Sequence, residues 1–313
     1  MNFADRLDRS IRDSGSFICA GFDPQLEALP PFILERAGRC ASTDEAVVYA
    51  LTTFYTLVLD TLAGQVAAIK PNIAFFEQYG LAGLAALVRI NELIRERGVP
   101  LIIDAKRGDI GSTAKAYSTA FLGRATPFGR EVPGLTGDAV TVNPFLGFDT
   151  LEPFLADCAE YGRGIFVLVK TSNPGSGDIQ GSSTTAGGSV SELVARWLHE
   201  HAAPLTGTCG FSGLGAVVGA TYPEEGARLR TIMTKNFLLI PGMGAQGGTA
   251  ADAIQSFGRT ATGTPGGAII NLSRGLTGSW DASVTSAERL QEVLSERTGR
   301  FNSEIAAAVA ASR

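Results

Sequence analysis

Short runs of branched aliphatic and aromatic residues recur along this chain, separated by longer stretches whose apolar positions return every three or four residues. Eight such runs stand at 17–22 (FICAGF), 66–70 (VAAIK), 101–106 (LIIDAK), 139–143 (AVTVN), 165–170 (IFVLVK), 214–220 (LGAVVGA), 237–241 (FLLIP) and 268–272 (AIINL). They are continuously apolar instead of alternating, the pattern of parallel strands covered on both faces. Segments 81–97 and 189–201 carry helical spacing, residues 1–16 read as a charged amphipathic helix, and a last helix is expected near 302–312. Eight strands alternating with helices predict an α/β protein: a (β/α)8 TIM barrel forming a single domain over 1–313, with loop insertions. A doubly wound open sheet is the structural alternative. Two Gly/Ser/Thr-rich stretches, 174–189 and 258–267, read as mobile loops. The first follows the fifth strand, where it would be either a lid over a barrel site or a surface insertion.

Composition narrows the classes. The 313 residues are 45% hydrophobic and 18% charged, a globular balance, and a formal charge of −5 leaves no basic footprint for nucleic acid. No run reaches the roughly 18 apolar residues that would predict a membrane span, and the charged start lacks a signal-peptide core, so a soluble cytoplasmic protein is expected. Cys19, Cys40, Cys158 and Cys209 are far apart with no C-x-x-C pair, as reduced thiols would be. The only histidines, His199 and His201, lie two apart and would face different ways on a helix, a poor metal pair. Proton transfer therefore falls to Lys, Asp, Glu, Tyr or Cys.

The third run leads straight into Asp104-Ala105-Lys106-Arg107-Gly108-Asp109. Asp104 and Lys106 share one face of a strand, and buried charges are costly unless paired, so this cluster reads as a site. In a barrel, active groups gather at the C-terminal strand ends. Those ends here carry Asp23, Lys70, Asp104 with Lys106, Asn143, Lys170-Thr171-Ser172-Asn173 and Ser273-Arg274. After the seventh run comes Pro241-Gly242-Met243-Gly244-Ala245-Gln246-Gly247-Gly248-Thr249, then a helical stretch over 250–257. Exposed backbone N–H groups at such a loop and helix start suit a phosphate, and Arg274 offers a guanidinium fork. Gly242, Gly244 and Gly247 also fit G-x-G-x-x-G, but only one strand follows and it ends in Ser273-Arg274 instead of a ribose-binding acid, which speaks against a dinucleotide.

On these residues the chain resembles the orotidine 5′-phosphate decarboxylase family, in its longer bacterial form. Asp104 to Thr113 is similar to the family signature D-x-K-x-x-D-I-x-x-T. The resemblance extends to Ala20-Gly21-Phe22-Asp23-Pro24, Ile69-Lys70-Pro71-Asn72, Val169-Lys170-Thr171-Ser172-Asn173-Pro174, the loop from Ile240 to Gly247, and Asn271-Leu272-Ser273-Arg274-Gly275. It implies a (β/α)8 barrel that uses no metal or organic cofactor. It also implies a homodimer with two active sites shared at the interface, acting on orotidine 5′-phosphate. Carried over residue by residue, Lys106 would protonate C6, Asp104 would sit beside the substrate carboxylate and Lys70 would complete the charged array. Asp109 would enter the neighbouring subunit's site. Asp23 and Thr113 would meet the ribose, Ser172 the pyrimidine, and Gln246 and Arg274 the phosphate.

Three other readings compete. A magnesium-dependent sugar-phosphate decarboxylase or hexulose-phosphate synthase of the same barrel group shares D-x-K-x-x-D, yet would need an acid near the end of strand two, where Lys70-Pro71-Asn72 stands. A Schiff-base aldolase using Lys106 or Lys170 would need a lysine of lowered pKa, against the two aspartates flanking Lys106. A barrel serving only as a binding scaffold leaves the Asp-Lys-Asp cluster unexplained.

Overall fold

The computed structural model describes residues 1–312 except Pro133, Ala245, Ala261, Thr262 and Ala282. Eight strands form the barrel wall: β1 (Ile18–Phe22), β2 (Ala68–Pro71), β3 (Ile102–Arg107), β4 (Ala139–Val142), β5 (Gly164–Lys170), β6 (Ser212–Val218), β7 (Asn236–Ile240) and β8 (Ala268–Leu272). All their pairings are parallel, running β2-β1-β8-β7-β6-β5-β4-β3. Single parallel bridges Ile69↔Leu101 and Asn72↔Asp104 join the two ends of this sheet. Closure removes the free edges that an open doubly wound sheet would keep, so the barrel expectation holds. Each expected strand lies within two residues of an observed one.

Strand phase then sorts the side chains. Ile18, Ala20, Ile69, Ile103, Val140 and Ile270 pack outward with the helices, while Cys19, Ala68, Ile102, Phe166, Leu239 and Ile269 form an inner core. The N-terminal helix Phe3–Ser14 plugs this inner core from below with Phe3, Ala4, Leu7 and Ile11. The Phe3 ring stands edge-on to Phe166, centroids 5.9 Å apart, and burying such a side chain fully stabilises by about 1.5–3 kcal/mol. One end of the barrel is thus sealed with apolar groups, which leaves the C-terminal end for chemistry. Continuing the inward phase upward brings Lys70 above Ala68, Asp104 above Ile102, Thr141 above Ala139 and Asn271 above Ile269.

Three expectations change. The final helix runs Ala287–Ala311, far longer than 302–312, because Leu290, Leu294, Thr298, Phe301, Ile305 and Val309 form one buried stripe behind an N-cap at Ser286. Segment 174–189 is no bare loop. It contains short helices Pro174–Ser176 and Gly177–Gln180, and the Gln180 side chain accepts from the Thr171 N–H at 2.8 Å. Segment 258–267 forms a hairpin, Gly258–Arg259 against Pro265–Gly266, and because it precedes β8 it lies at the sealed end, away from the site. Residues 261 and 262 of that segment fall outside the described ones. Helix Thr43–Leu62 is long and apolar enough to cross a membrane by composition. Val47, Leu51, Phe54, Val58 and Leu62 bury its inner face, making it a core helix.

Candidate active site

A cavity of about 720 Å³ opens at the C-terminal end of the strands, lined among others by Asp23, Lys70, Asp104, Lys106, Thr141, Ser172, Gln246 and Arg274. Its floor is ionic. Asp104 on β3 accepts from Lys70 Nζ of β2 at 2.5 Å through Oδ2, and from Lys106 Nζ at 2.6 Å through Oδ1. Thr141 Oγ1 of β4 donates to the same Oδ1 at 2.9 Å. Asp104 and Lys70 are almost wholly buried, whereas the Lys106 side chain is 49% exposed and is the most accessible member of the array.

Burial alone would push the Asp104 carboxyl up, but the two ammonium groups outweigh it and hold the carboxyl far below the ordinary carboxylate range. For Lys70, desolvation works to lower the pKa, and Asp104, with help from Asp23, raises it above the ordinary lysine value. Asp104 and Lys70 are therefore ionised at neutral pH, and two lysine side chains share one buried carboxylate. A buried charge of this kind is tolerated because an opposite charge meets it directly: Asp104 takes one ammonium on each oxygen and the Thr141 hydroxyl besides.

The rim is different in kind. Gln246 and Arg274 line the cavity and are exposed, and neither side chain has a hydrogen-bond or ion-pair partner among the described residues. Gly242 lines the same end with φ +105°, a backbone shape that excludes ordinary side chains. The expected anion site at the start of the following helix does not survive. That helix spans only Ala250–Ile254, and Thr249 with Asp252 closes a reciprocal capping box over its first N–H groups. With a carboxylate already there, the glycine turn and Arg274 are what remain for a phosphate. Ala245 of the loop falls outside the described residues.

Between floor and rim, Asp23 Oδ1 and Asn271 Oδ1 are buried without a partner among the described residues, on side chains that line the cavity. Ser172 lines the cavity after β5, its carbonyl accepting from Thr221 Oγ1 at 3.1 Å. Lys170 turns elsewhere: its ammonium lies 3.1 Å from Glu225 and 4.3 Å from the centroid of the Tyr222 ring, outside the cavity lining. An engaged ammonium of this kind is unsuited to Schiff-base chemistry. Asn143 also misses the cavity, its Oδ1 accepting the Phe145 N–H.

Asp109 and Thr113 stand apart from this chain's own cavity. Asp109 Oδ1 accepts only the following N–H of Ile110, at 2.7 Å, and Thr113 is exposed on helix Gly111–Phe121. The segment carrying Asp109 lies against the chain that follows β4, so closely that a Cβ at Gly108 would stand 2.7 Å from the Asn143 carbonyl oxygen. Exposed Ile110, Phe145 and Leu146 flank that seam. Sequence reasoning missed Thr141, hidden inside an apolar run. It also missed Asn271, whose position two residues beyond inward Ile269 could have pointed to it.

A closed parallel barrel with an ionised Lys-Asp-Lys floor and an anion-ready rim defines a barrel enzyme for a negatively charged small molecule. The model of the orotidine 5′-phosphate decarboxylase / HUMPS family matches residues 49–289. An orotidine 5′-phosphate decarboxylase of Rhodopirellula baltica is 43% identical over 275 residues, covering 88% of this chain and 87% of that protein. One from Caldicellulosiruptor saccharolyticus is 40% identical over 253 residues, 80% of this chain and 83% of the relative. A Streptomyces avermitilis crystal structure assigned to the same activity superposes with a TM-score of 0.76 at 35% identity, covering 99% of this chain and 96% of that one. This chain belongs to the orotidine 5′-phosphate decarboxylase / HUMPS family.

Proposed function

We propose that the protein decarboxylates orotidine 5′-phosphate to UMP and CO2, a step of de novo pyrimidine synthesis, with Lys106 as the proton donor and no cofactor. The observation that carries this reading is the single buried carboxylate of Asp104 gripping two ammonium groups in the cavity lining, of which Lys106 is the exposed one and Lys70 the buried one. In the proposed pose the pyrimidine lies over Lys106 beside Ser172, the ribose meets Asp23, and the phosphate takes Gln246 and Arg274.

The chemistry follows from that arrangement. Breaking the bond from C6 to the carboxylate leaves its electron pair on C6, in an orbital the ring delocalises poorly. A preorganised ammonium stabilises the developing charge without having to reorient. Its proton then passes to C6, and the neutral Lys106 amine regains one from solvent. Asp104 anchors the Lys106 Nζ at 2.6 Å and, beside the substrate carboxylate, disfavours the ground state. Contacts to the distant phosphate supply the binding energy that holds this repulsive geometry.

The reading extends to assembly and place. Asp109 and Thr113 serve the site of a partner copy in a homodimer. Their position outside their own cavity and the exposed Ile110, Phe145 and Leu146 beside them support this. Four unpaired thiols suit the cytoplasm. Incubating the purified protein with orotidine 5′-phosphate and EDTA tests the activity through loss of the substrate's ultraviolet absorbance. Unchanged absorbance from folded protein overturns the reading, and turnover abolished by EDTA favours magnesium-dependent chemistry instead. Mixing Lys106→Ala with Asp109→Ala chains tests sharing: hybrid dimers regain part of the activity, whereas two inactive variants that stay inactive together contradict it.

A further inference from the structure

The register between β3 and β4 slips at the functional residues. Ile102 and Ile103 pair with Ala139 and Val140, but the next partners are Arg107 and Val142. Asp104, Ala105 and Lys106 therefore stand opposite one residue, Thr141, in a bulge that re-aims side chains and breaks the ladder. At the end of this bulge Lys106 adopts φ +48°, a left-handed backbone that costs a residue with a side chain about 1–2 kcal/mol. Something must hold it there.

Thr141 is 1% exposed, and its hydroxyl meets the bulge at every point. Oγ1 accepts the N–H of Ala105 at 3.0 Å and the N–H of Lys106 at 2.9 Å, the two donors the slipped ladder leaves without a strand partner. A hydroxyl has two acceptor sites and one proton. With both acceptor sites occupied, the proton is left for Asp104 Oδ1 at 2.9 Å, the same oxygen that takes the Lys106 ammonium at 2.6 Å. One side chain thus fixes the backbone of Lys106 at one end and the anchor of its ammonium at the other.

We infer that Thr141 is a positioning residue for the proton donor: its hydroxyl sets the bulge and the Asp104 carboxylate that together aim Lys106 at the substrate. This rests on the decarboxylase reading. Valine at this site keeps the shape and the β-branching but cannot accept or donate. Displacing a reacting group by about 1 Å costs on the order of 100-fold in rate, so Thr141→Val lowers kcat by about 10- to 100-fold. KM and the affinity for UMP stay within about twofold, because neither the rim nor the ribose contacts change. Thr141→Ser restores kcat to near the parent value, since it keeps all three hydrogen bonds.

The decisive experiment measures kcat, KM and UMP affinity for the parent, Thr141→Val, Thr141→Ser and Thr141→Cys, with hydrogen exchange at the amides of Ala105 and Lys106. Cysteine keeps the volume with a poor hydrogen-bonding group and stands in if the valine chain does not fold. Faster amide exchange and a fall confined to kcat in the valine or cysteine variant, both reversed by serine, are the expected result. Unchanged kcat with unchanged exchange, or a serine variant as impaired as the valine one, overturns the assignment. A parent protein that turns nothing over fails the decarboxylase reading instead, while the exchange data still judge the role of Thr141 in the bulge.

Discussion

At the floor of the cavity every charged group already has its partner, whereas along the rim Arg274 and Gln246 have none among the described residues. Lys70, Asp104, Lys106 and Thr141 satisfy one another within 2.5–2.9 Å. Arg274 and Gln246 line the same space with exposed side chains, unpaired among the described residues. The difference separates two jobs. A field that must act on a transition state is best built during folding, so that nothing reorients as charge develops. A binding group is best left unsatisfied until substrate arrives, so that its energy appears on binding. Substitutions in the two regions should therefore fail in different ways.

The largest effect falls on the floor. Asp104→Asn strips both lysines of their shared anion and leaves Lys70 buried and unpaired. Breaking such a buried pair lowers the unfolding free energy by about 3–5 kcal/mol, measured by chemical denaturation, and turnover falls by about 1,000-fold or more with the lost preorganisation. The sign with pH follows from the two shifts. Asp104, depressed on folding, contributes stability above the ordinary carboxylate range and loses it as pH falls through its folded value. Lys70, raised on folding, contributes below the ordinary lysine value and loses it as pH rises through its own. The parent's advantage over Asp104→Asn is thus flat from roughly pH 5 to 9 and shrinks on both sides. An advantage that grew toward acid would contradict the ion-pair account.

Arg274→Ala, at the rim, should do the reverse. Losing a hydrogen bond between charged groups costs about 1.5–3 kcal/mol, or about 10- to 100-fold in kcat/KM, carried mainly by KM. The unfolding midpoint stays put, because the Arg274 side chain is exposed and bonds to no other side chain among the described residues. A drop in stability with unchanged KM would erase the distinction between floor and rim. Smallest of all is Lys170→Met. Lys170 is tied to a half-exposed Glu225 outside the cavity, so turnover changes by less than about fivefold. Loss of all activity would revive the Schiff-base alternative.

Most of the floor is legible from sequence because strand geometry is local. A continuous apolar run sets a strand, its alternation sets a phase, and Lys70, Asp104 and Lys106 fall on the inner phase at the strand ends. Thr141 is not legible that way. Its role depends on a two-strand register slip, and nothing within AVTVN tells that three residues of another strand will stand opposite it. Strand geometry does not place Asp109 and Thr113 either: both lie beyond the end of β3 and outside the lining of their own cavity, and only the family resemblance gives them a role. The helix start after β7 is not open to a phosphate as its glycine-rich approach suggests, and the sequence carries the reason, since Thr249-Ala250-Ala251-Asp252 spells its own cap. The final helix extends well before residue 302 although charged residues and Gly299 interrupt its apolar pattern, because buried contacts make the stripe continuous.

The most direct test of Lys106 as the proton donor runs the last step backwards. By microscopic reversibility, the amine that protonates C6 must also be the base that removes the C6 proton from bound UMP. Holding UMP with the enzyme in D2O and following its C6–H signal by NMR reads that transfer alone, with no decarboxylation involved. The account predicts slow exchange of the C6 hydrogen for deuterium in the parent protein and none above background in Lys106→Ala, with UMP still bound. Exchange that persists at the parent rate in Lys106→Ala would show that another group moves the proton.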